Sequence, residues 1–183
     1  PLLLAGADSL PDSLDARMRA AVDTLRGWDF STRRSRVAPT LWRGWYGAYL
    51  RRSKLEGLPG LAWSALQSRA PEALNDPATG KPERPAVAVV AALRLGLAEL
   101  EKLLGHDLAR WRYGLAHQAR FRHDLGRDLG VVAWESPPTP VDGDAGTPSV
   151  GGSRLPWNRW VTHGPVLRHL VDLAVPESSF VVL

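Results

Sequence analysis

The sequence predicts an α+β protein in which helices come first and strands follow. Up to about residue 125, apolar residues recur at steps of three and four, as they do on one face of a helix. From residue 126 onward, short β-prone runs alternate with segments rich in Pro, Gly, Ser and Asp. We therefore expect residues 1–125 to form a mainly helical lobe, and residues 126–183 to form loops and strands that return to a sheet. The length of 183 residues suits one domain or one substantial lobe of a larger protein.

Two amphipathic helices are predicted near the start of the chain. Ser13 stands where an N-cap is expected, apolar residues follow from Leu14 to Trp28 at helical spacing, and Gly27 marks the end. Pro39 can occupy the first turn of the second helix. That helix carries a stripe of large side chains: Leu41, Trp42, Trp45, Tyr46, Tyr49 and Leu50. The stripe could line a pocket for an acyl chain or a ring, but core packing is the expected role at this spacing.

The central part of the chain predicts two further helices. Residues 61–74 read as a helix and residues 75–82 as a loop. The clearest helix begins at Pro85 and ends before Gly105, and Asp107 is positioned to cap a short turn after it. Its predicted apolar face consists of Val87, Val90, Ala91, Leu93, Leu97, Leu100 and Leu104.

Short strands are predicted in the last third of the chain. Residues 131–134 are β-prone, whereas residues 136–156 have the composition of a loop. Two β-branched segments, 160–173 and 180–183, flank the turn residues 176–178. This arrangement predicts a hairpin.

Composition and charge exclude several classes of function. The absence of cysteine excludes disulfides, zinc–thiolate sites and cysteine nucleophiles in this segment. The net charge of +4 comes mainly from arginine, and we expect a solvated arginine-rich surface with no nucleic-acid partner. No apolar run approaches the roughly 18 residues that a membrane span needs. Because the chain lacks an initiator Met and ends on an apolar run, we expect both ends to be cuts in a larger product.

The pair His117 and His123 is the first candidate site. If both residues lay on one extended segment, their even spacing would place them on one face, as metal ligands require. Asp124 is adjacent, but no carboxylate has an obvious third-ligand spacing. The alternative is structural, with each histidine anchoring a turn through hydrogen bonds.

The segment Asp142-x-Asp144-x-Gly146 is the second candidate, because it begins like a calcium-binding loop. It lacks the third acidic position and the distal Glu of an EF-hand. The favoured interpretation is a tight turn, in which Gly143 and Gly146 relieve backbone strain and the Asp side chains cap neighbouring amides.

A third candidate combines His163, His169 and Asp172 with a serine, either Ser149 or Ser153, as in a Ser-His-Asp triad. Many chains with several His and Ser residues allow such a combination. A simpler account of this region is an ion pair between Arg168 and Asp172, which share a face if they lie four apart on a strand.

Three spaced signatures occur in order in the last third. They are WRYGLAHQ over residues 111–118 with Phe121, His123, Leu125 and Gly126 after it, PVDGDAGT over residues 140–147, and GPVLRHLVDL over residues 164–173. Together they resemble the C-terminal part of the β subunit of the penicillin acylase (penicillin amidase) family. Two positions depart from the family pattern: Asp124 replaces the usual proline, and Val166 replaces a small hydroxyl residue.

The resemblance implies an N-terminal-nucleophile hydrolase with a four-layer αββα fold, made as a precursor that cleaves itself into α and β subunits. Such enzymes cleave N-acyl amides, including β-lactam side chains and acyl-homoserine lactones, and are mostly periplasmic or secreted. Their nucleophile is usually the first Ser of the β subunit. Pro1 has no nucleophilic side chain, so the resemblance assigns no catalytic, cofactor-binding or metal residue to this segment, and calcium, which family members often bind, would lie elsewhere in the full enzyme.

The expected partners are therefore the α subunit, the N-terminal part of the β subunit and an N-acyl amide substrate. The alternative is a stand-alone helical interaction module without catalytic activity, with Trp42, Trp45, Tyr46 and Tyr49 as its binding face.

Overall fold

A computed structural model describes the chain in several stretches. These are residues 2–52, 79–81, 84–120, 123–147, 149–153, 156, 158–164, 168–170, 174–175 and 180–182. Long helices occupy the first part and short antiparallel strands follow, so the predicted mixed α+β class is confirmed. The helix predicted over residues 61–74 lies outside the described residues. Within the described stretches, no helix combines the length and the apolar character that crossing a membrane would need.

The helices and strands have the following bounds. The α-helices are α1 (Leu2–Ser9), α2 (Ala16–Arg26), α3 (Ala38–Arg52), α4 (Pro85–Leu104), α5 (Tyr113–Ala116) and α6 (Asp124–Leu129). Single 3₁₀ turns span Pro11–Ser13, Leu108–Arg110 and Val132–Trp134. The strands are β1 (Gln118–Ala119), β2 (Thr139–Pro140), β3 (Gly152–Ser153), β4 (Val161–His163), β5 (Arg168–Leu170) and β6 (Phe180–Val182).

The strands form three antiparallel pairs: β1 with β2, β3 with β4, and β5 with β6. The β5–β6 pair, with His169 opposite Val181, confirms the predicted hairpin; its predicted turn lies outside the described residues. The strand predicted over residues 131–134 is wrong, because Val132–Trp134 forms a 3₁₀ turn. Strand β3 lies inside the predicted loop, where Gly and Ser carry no β-branched signal.

The core lies where α3 crosses α4, with α1 and α2 packed beside them. A β-carbon added to Gly96 of α4 would lie 2.5 Å from the carbonyl oxygen of Gly44 in α3, so the two backbones pack in direct contact. Trp45 and Tyr49 of α3 are each 1% exposed, and the Trp45 indole donates to the Val89 carbonyl at 3.2 Å. The predicted core role of the aromatic stripe is confirmed.

The helix ends follow the predicted chemistry, with one correction. Gly27 ends α2, Gly105 ends α4 with a φ of 85°, and Asp107 caps the following turn by accepting from the Ala109 amide at 3.1 Å. The predicted Ser13 cap is wrong. Asp15 caps α2 instead, because Ser13 belongs to a 3₁₀ turn and the Asp15 carboxylate accepts from the Met18 amide at 2.8 Å.

The buried face of α4 is wider than the predicted one: Val90, Leu93, Leu97 and Leu100 are buried as predicted, and other residues are buried beside them. Val87 was expected inside but is 37% exposed, whereas Val89 is fully buried. The reason is that α1 and α3 pack against α4 from two directions. Small residues, Ala88, Ala92 and Gly96, therefore also lie inside the contact and widen the buried face beyond the predicted stripe.

Candidate functional site: a buried polar junction

A group of polar side chains lies between the helices and the C-terminal loops. We call it the polar junction and define it by Arg43 of α3, Tyr113 and His117 at the two ends of α5, Asp144 in the loop after β2, and Ser153 of β3. The Nδ1 atom of His117 lies 3.1 Å from the Ser153 hydroxyl. The rings of Tyr113 and His117 stack, with centroids 4.6 Å apart, and neither residue is exposed. The junction thus joins two regions distant in sequence.

Arg43 connects α3 to strand β3 and to the loop after β2. Its Nη2 donates to the backbone carbonyl of Ser153 at 2.8 Å, and its Nε lies 3.3 Å from Oδ2 of Asp144. The two charged side chains are only 16% and 14% exposed. Removing either partner would leave the other charge buried without compensation, which costs free energy. Such a change is therefore expected to loosen the loop after β2.

The turn containing Asp142 and Asp144 fits the interpretation favoured by the sequence. Oδ1 of Asp142 accepts from the Arg34 amide at 2.5 Å, and Oδ1 of Asp144 accepts from the Ala145 amide at 2.7 Å. Gly143 has a φ of 93°, its amide donates to the Thr32 carbonyl, and its own carbonyl accepts from the Tyr113 hydroxyl at 2.9 Å. The predicted turn is confirmed.

One detail of that turn is corrected and one alternative is weakened. The left-handed backbone falls on Gly143 and not on Gly146, which needs no special conformation. Three of the four carboxylate oxygens that a calcium ion would require already have partners, because Oδ1 of Asp142 holds the Arg34 amide and Asp144 binds the Ala145 amide and Arg43. These residues therefore do not fit a calcium ion in the described arrangement.

Burial sets the protonation of the junction. Burial, together with a smaller effect of the nearby Arg43 charge, lowers the pKa of His117 to about 4. Burial also raises the pKa of Tyr113, with the Asp144 carboxylate acting in the same direction. Both rings are consequently neutral at pH 7. His117 is a poor proton acceptor here, so the His117–Ser153 pair suits anchoring better than nucleophilic catalysis.

The two histidines of the metal hypothesis anchor different turns. His117 follows α5 and is buried, whereas His123 is exposed before α6, where its Nδ1 accepts from the Gly126 amide at 3.2 Å. The His123 ring also meets Trp134 edge-on, with centroids 5.1 Å apart. The segment between the two histidines starts as strand β1 (Gln118–Ala119), whereas residues 121 and 122 lie outside the described residues, so the shared face of the two histidines stays a prediction. No group of three or more His, Asp or Glu side chains in the described stretches has a metal-binding arrangement.

The described part of the proposed triad does not assemble. His163 is exposed on β4 and contacts the neighbouring Thr162 hydroxyl, whereas His169 is placed only by its backbone pairing in β5. Asp172, and with it the predicted ion pair to Arg168, lies outside the described residues. Ser153 instead meets His117, 36 positions away, and Arg43 was not predicted at all. No local sequence pattern could have revealed either contact.

The first two sequence signatures, over residues 111–118 and 140–147, contact each other through residues that define them. Trp111 is fully buried and donates through its indole to the Gly105 carbonyl at 2.8 Å. A β-carbon on Gly114 would lie 2.8 Å from the Pro140 side chain, so only glycine leaves room for the second signature. The residues that define the signatures are therefore the ones that fasten the loops to the helices.

This fold and this junction define a structural α+β segment whose signature residues hold loops in place. The sequence profile described as penicillin amidase matches residues 2–183, and the chain belongs to the penicillin amidase family. That membership supports an amidohydrolase. No curated protein matches the chain.

Proposed function

We propose that this chain is the scaffold segment of an amidohydrolase that cleaves N-acyl amide bonds with a Ser nucleophile located outside residues 1–183. The observation that carries the proposal is the family match over residues 2–183. The buried state of the signature residues supports it, because Tyr113 and His117 have no exposed surface on which a substrate could bind.

The catalytic chemistry would come from the first residue of a companion chain. A free α-amino group has an ordinary pKa of about 8, so it can accept the proton of its own hydroxyl near neutral pH. The tetrahedral oxyanion would then be held by a backbone N–H and an amide side chain of that companion chain. In the proposal, residues 1–183 supply neither the nucleophile nor the oxyanion hole.

The short strands take part in the same proposal. Two-stranded pairs such as β5–β6 have open edges, and open edges are normally covered by further strands. We propose that these strands extend the sheet of a four-layer αββα fold completed by the remainder of the precursor. Substrates would be β-lactam side chains, acyl-homoserine lactones or related N-acyl amides, and the enzyme would be periplasmic or secreted. Any calcium ion of the complete enzyme would lie in that remainder.

The stand-alone interaction module is less well supported. Two members of its expected binding face, Trp45 and Tyr49, are buried in the core and are not available to a partner. The other two members, Trp42 and Tyr46, are half-buried beside them.

The proposal is tested by intact mass measurement and N-terminal sequencing of every chain in the natively produced protein. The expected result is a companion chain, or a longer chain containing this segment, that begins with Ser, Thr or Cys. Replacing that first residue by Ala should abolish hydrolysis of chromogenic N-acyl anilides, measured with aryl-acetyl and fatty-acyl groups. A product that consists of this segment alone and hydrolyses none of these compounds would disprove the proposal.

A further inference from the structure

Phe30 is held in an unusual position after α2. Its φ of 59° makes it the only described non-glycine residue with a left-handed backbone, a conformation that bulky side chains rarely adopt. Its side chain is 74% exposed, the largest value among the exposed large hydrophobic residues of the described stretches. An apolar ring is thus presented to solvent by a strained backbone, and such outliers often mark functional positions.

A polar turn fixes Phe30 in this orientation. Oδ1 of Asp29 accepts from both the amide and the hydroxyl of Ser31, at 3.0 and 2.6 Å. The Trp28 indole donates to the Ser31 carbonyl at 2.9 Å. Three hydrogen bonds therefore close the turn on both sides of Phe30, so its exposure is built into the fold.

Phe30 is the outer end of a row of aromatic rings that leads into the core. Its ring centroid lies 5.3 Å from that of Trp28, and Trp28 lies 6.1 Å from Trp42. The rings of Trp42 and Tyr46 stack, with centroids 5.9 Å apart and an angle of 3° between their planes. Trp28, Trp42 and Tyr46 are half-buried, so they form a rigid apolar base beside the exposed ring. Rigid aromatic anchors of this kind dominate the energetics of protein–protein interfaces.

Exposed arginines follow Phe30 within six positions of the chain. Arg33 and Arg36 are exposed, and neither guanidinium forms a hydrogen bond or an ion pair with another residue that the structure describes. The Asp29 carboxylate is close enough to Arg36 to interact electrostatically, but it is already bound to Ser31. Within the described stretches, both arginines therefore remain available for carboxylates of a partner.

We infer that Phe30, Trp28, Arg33 and Arg36 form a docking surface for a polypeptide segment that presents an apolar side chain flanked by carboxylates. Charge complementarity selects an acidic partner, and the single projecting ring fits one apolar pocket. Single-stranded nucleic acid fits less well, because such binders track the backbone with an extended positive groove, and here the Asp29 carboxylate is close enough to Arg36 to offset part of its charge. The inference rests on the proposed function in that it assigns this segment to the companion chain of the amidohydrolase.

The direct test places the photo-crosslinking residue p-benzoylphenylalanine at position 30 of the complete gene product. Leu129, which is 68% exposed on α6, provides the matched control position. After irradiation, we expect crosslinking from position 30 to an acidic segment of the companion chain, about tenfold above that from position 129.

A charge reversal provides the second test. The double change Arg33→Glu with Arg36→Glu should reduce that crosslinking about tenfold. The reduction should be smaller at high salt, because salt screens the charges. Arg19→Glu, at another exposed arginine, should leave the crosslinking unchanged. Far-UV circular dichroism and thermal unfolding verify that each variant is folded.

Three results would overturn the inference: no crosslink above the position 129 control, a crosslink to a second copy of this chain, or a crosslink to nucleic acid. If sequencing finds a companion chain and position 30 does not reach it, only the docking surface is wrong. If no companion chain exists, the proposed function fails as well.

Discussion

The imidazole of His117 and the hydroxyl of Ser153 lie 3.1 Å apart, although 36 positions separate them in the chain. His117 belongs to the end of a helix and Ser153 to a strand in the C-terminal region, so this contact fixes one region against the other. Both residues are buried, and the Nε2 atom of His117 has no hydrogen-bond partner among the residues that the structure describes. The histidine therefore depends on Ser153 for its polar contact.

Replacing Ser153 by Ala is expected to lower the free energy of unfolding by about 1–3 kcal/mol, because the buried Nδ1 atom of His117 loses its partner. Chemical denaturation of the two proteins measures the difference. Ser9→Ala is the control, since the exposed Ser9 hydroxyl only bonds back to the Ala5 carbonyl within α1. Equal stabilities for the two serine variants would contradict the anchoring role.

Stability should fall as the pH is lowered from about 6.5 to about 4, the interval between the ordinary pKa of His and that of His117 in the fold. Within it the unfolded chain binds a proton that the folded chain does not, so the free energy of unfolding rises with pH. The pKa shift of His117 corresponds to roughly 3 kcal/mol of free energy of unfolding. This stabilisation is present in full above pH 6.5 and is lost as the pH falls to 4.

Denaturant titrations at several pH values would measure this slope. His117→Gln should flatten it between pH 6.5 and 4.5, whereas His163→Gln, at an exposed histidine, should not. Hydrogen bonds lower the pKa values of Asp29 and Glu101 from 3.8 and 4.5, so their contributions to stability are lost mainly below about pH 4.5. If the free energy of unfolding of His117→Gln depends on pH as steeply as that of the unchanged protein, a group other than His117 causes the dependence and the prediction is wrong.

Gly96→Ala is expected to destabilise the fold by about 2–4 kcal/mol, although alanine favours helices by about 1 kcal/mol. The added carbon would lie 2.5 Å from the Gly44 carbonyl oxygen, and two packed backbones have little room to move. Gly146→Ala meets no atom within 4 Å and should change stability by no more than about 0.5 kcal/mol. Thermal unfolding of both variants gives the comparison, and a neutral Gly96→Ala would mean that α3 and α4 pack less closely.

Asp15→Ala should cost about 1 kcal/mol, because it removes the cap that accepts from the Met18 amide at 2.8 Å. Ser13→Ala should be nearly neutral, since Ser13 is exposed and its side chain caps no helix. Urea unfolding of the two variants distinguishes these caps. The reverse order of stabilities would restore Ser13 as the capping residue.

Most of the helical core could be predicted from the sequence. The spacing of apolar residues located α2, α3 and α4, while Gly27, Gly105 and Asp107 marked ends and caps correctly. These features depend on neighbours within one or two turns, so local spacing contains the information. The errors were also local, with the cap displaced from Ser13 to Asp15 and the strand over residues 131–134 replaced by a 3₁₀ turn.

The candidate site was harder to predict because its contacts join distant segments. The sequence singled out His117, Asp144 and Ser153 but placed them in three separate hypotheses: a metal pair, a calcium loop and a triad. In the fold they form one group together with Arg43, a residue that had no distinguishing pattern.

By itself, the sequence determined the family, the helical periodicity and the chemistry of most helix ends, because each of these depends on residues that are close together in the chain. Only the tertiary structure decided which side chains share the polar junction and how far the buried face of α4 extends beyond the predicted residues. The buried face of α4 depends on how α1 and α3 pack around its small residues. The polar junction depends on the need of each buried polar group for a partner, wherever in the chain that partner lies.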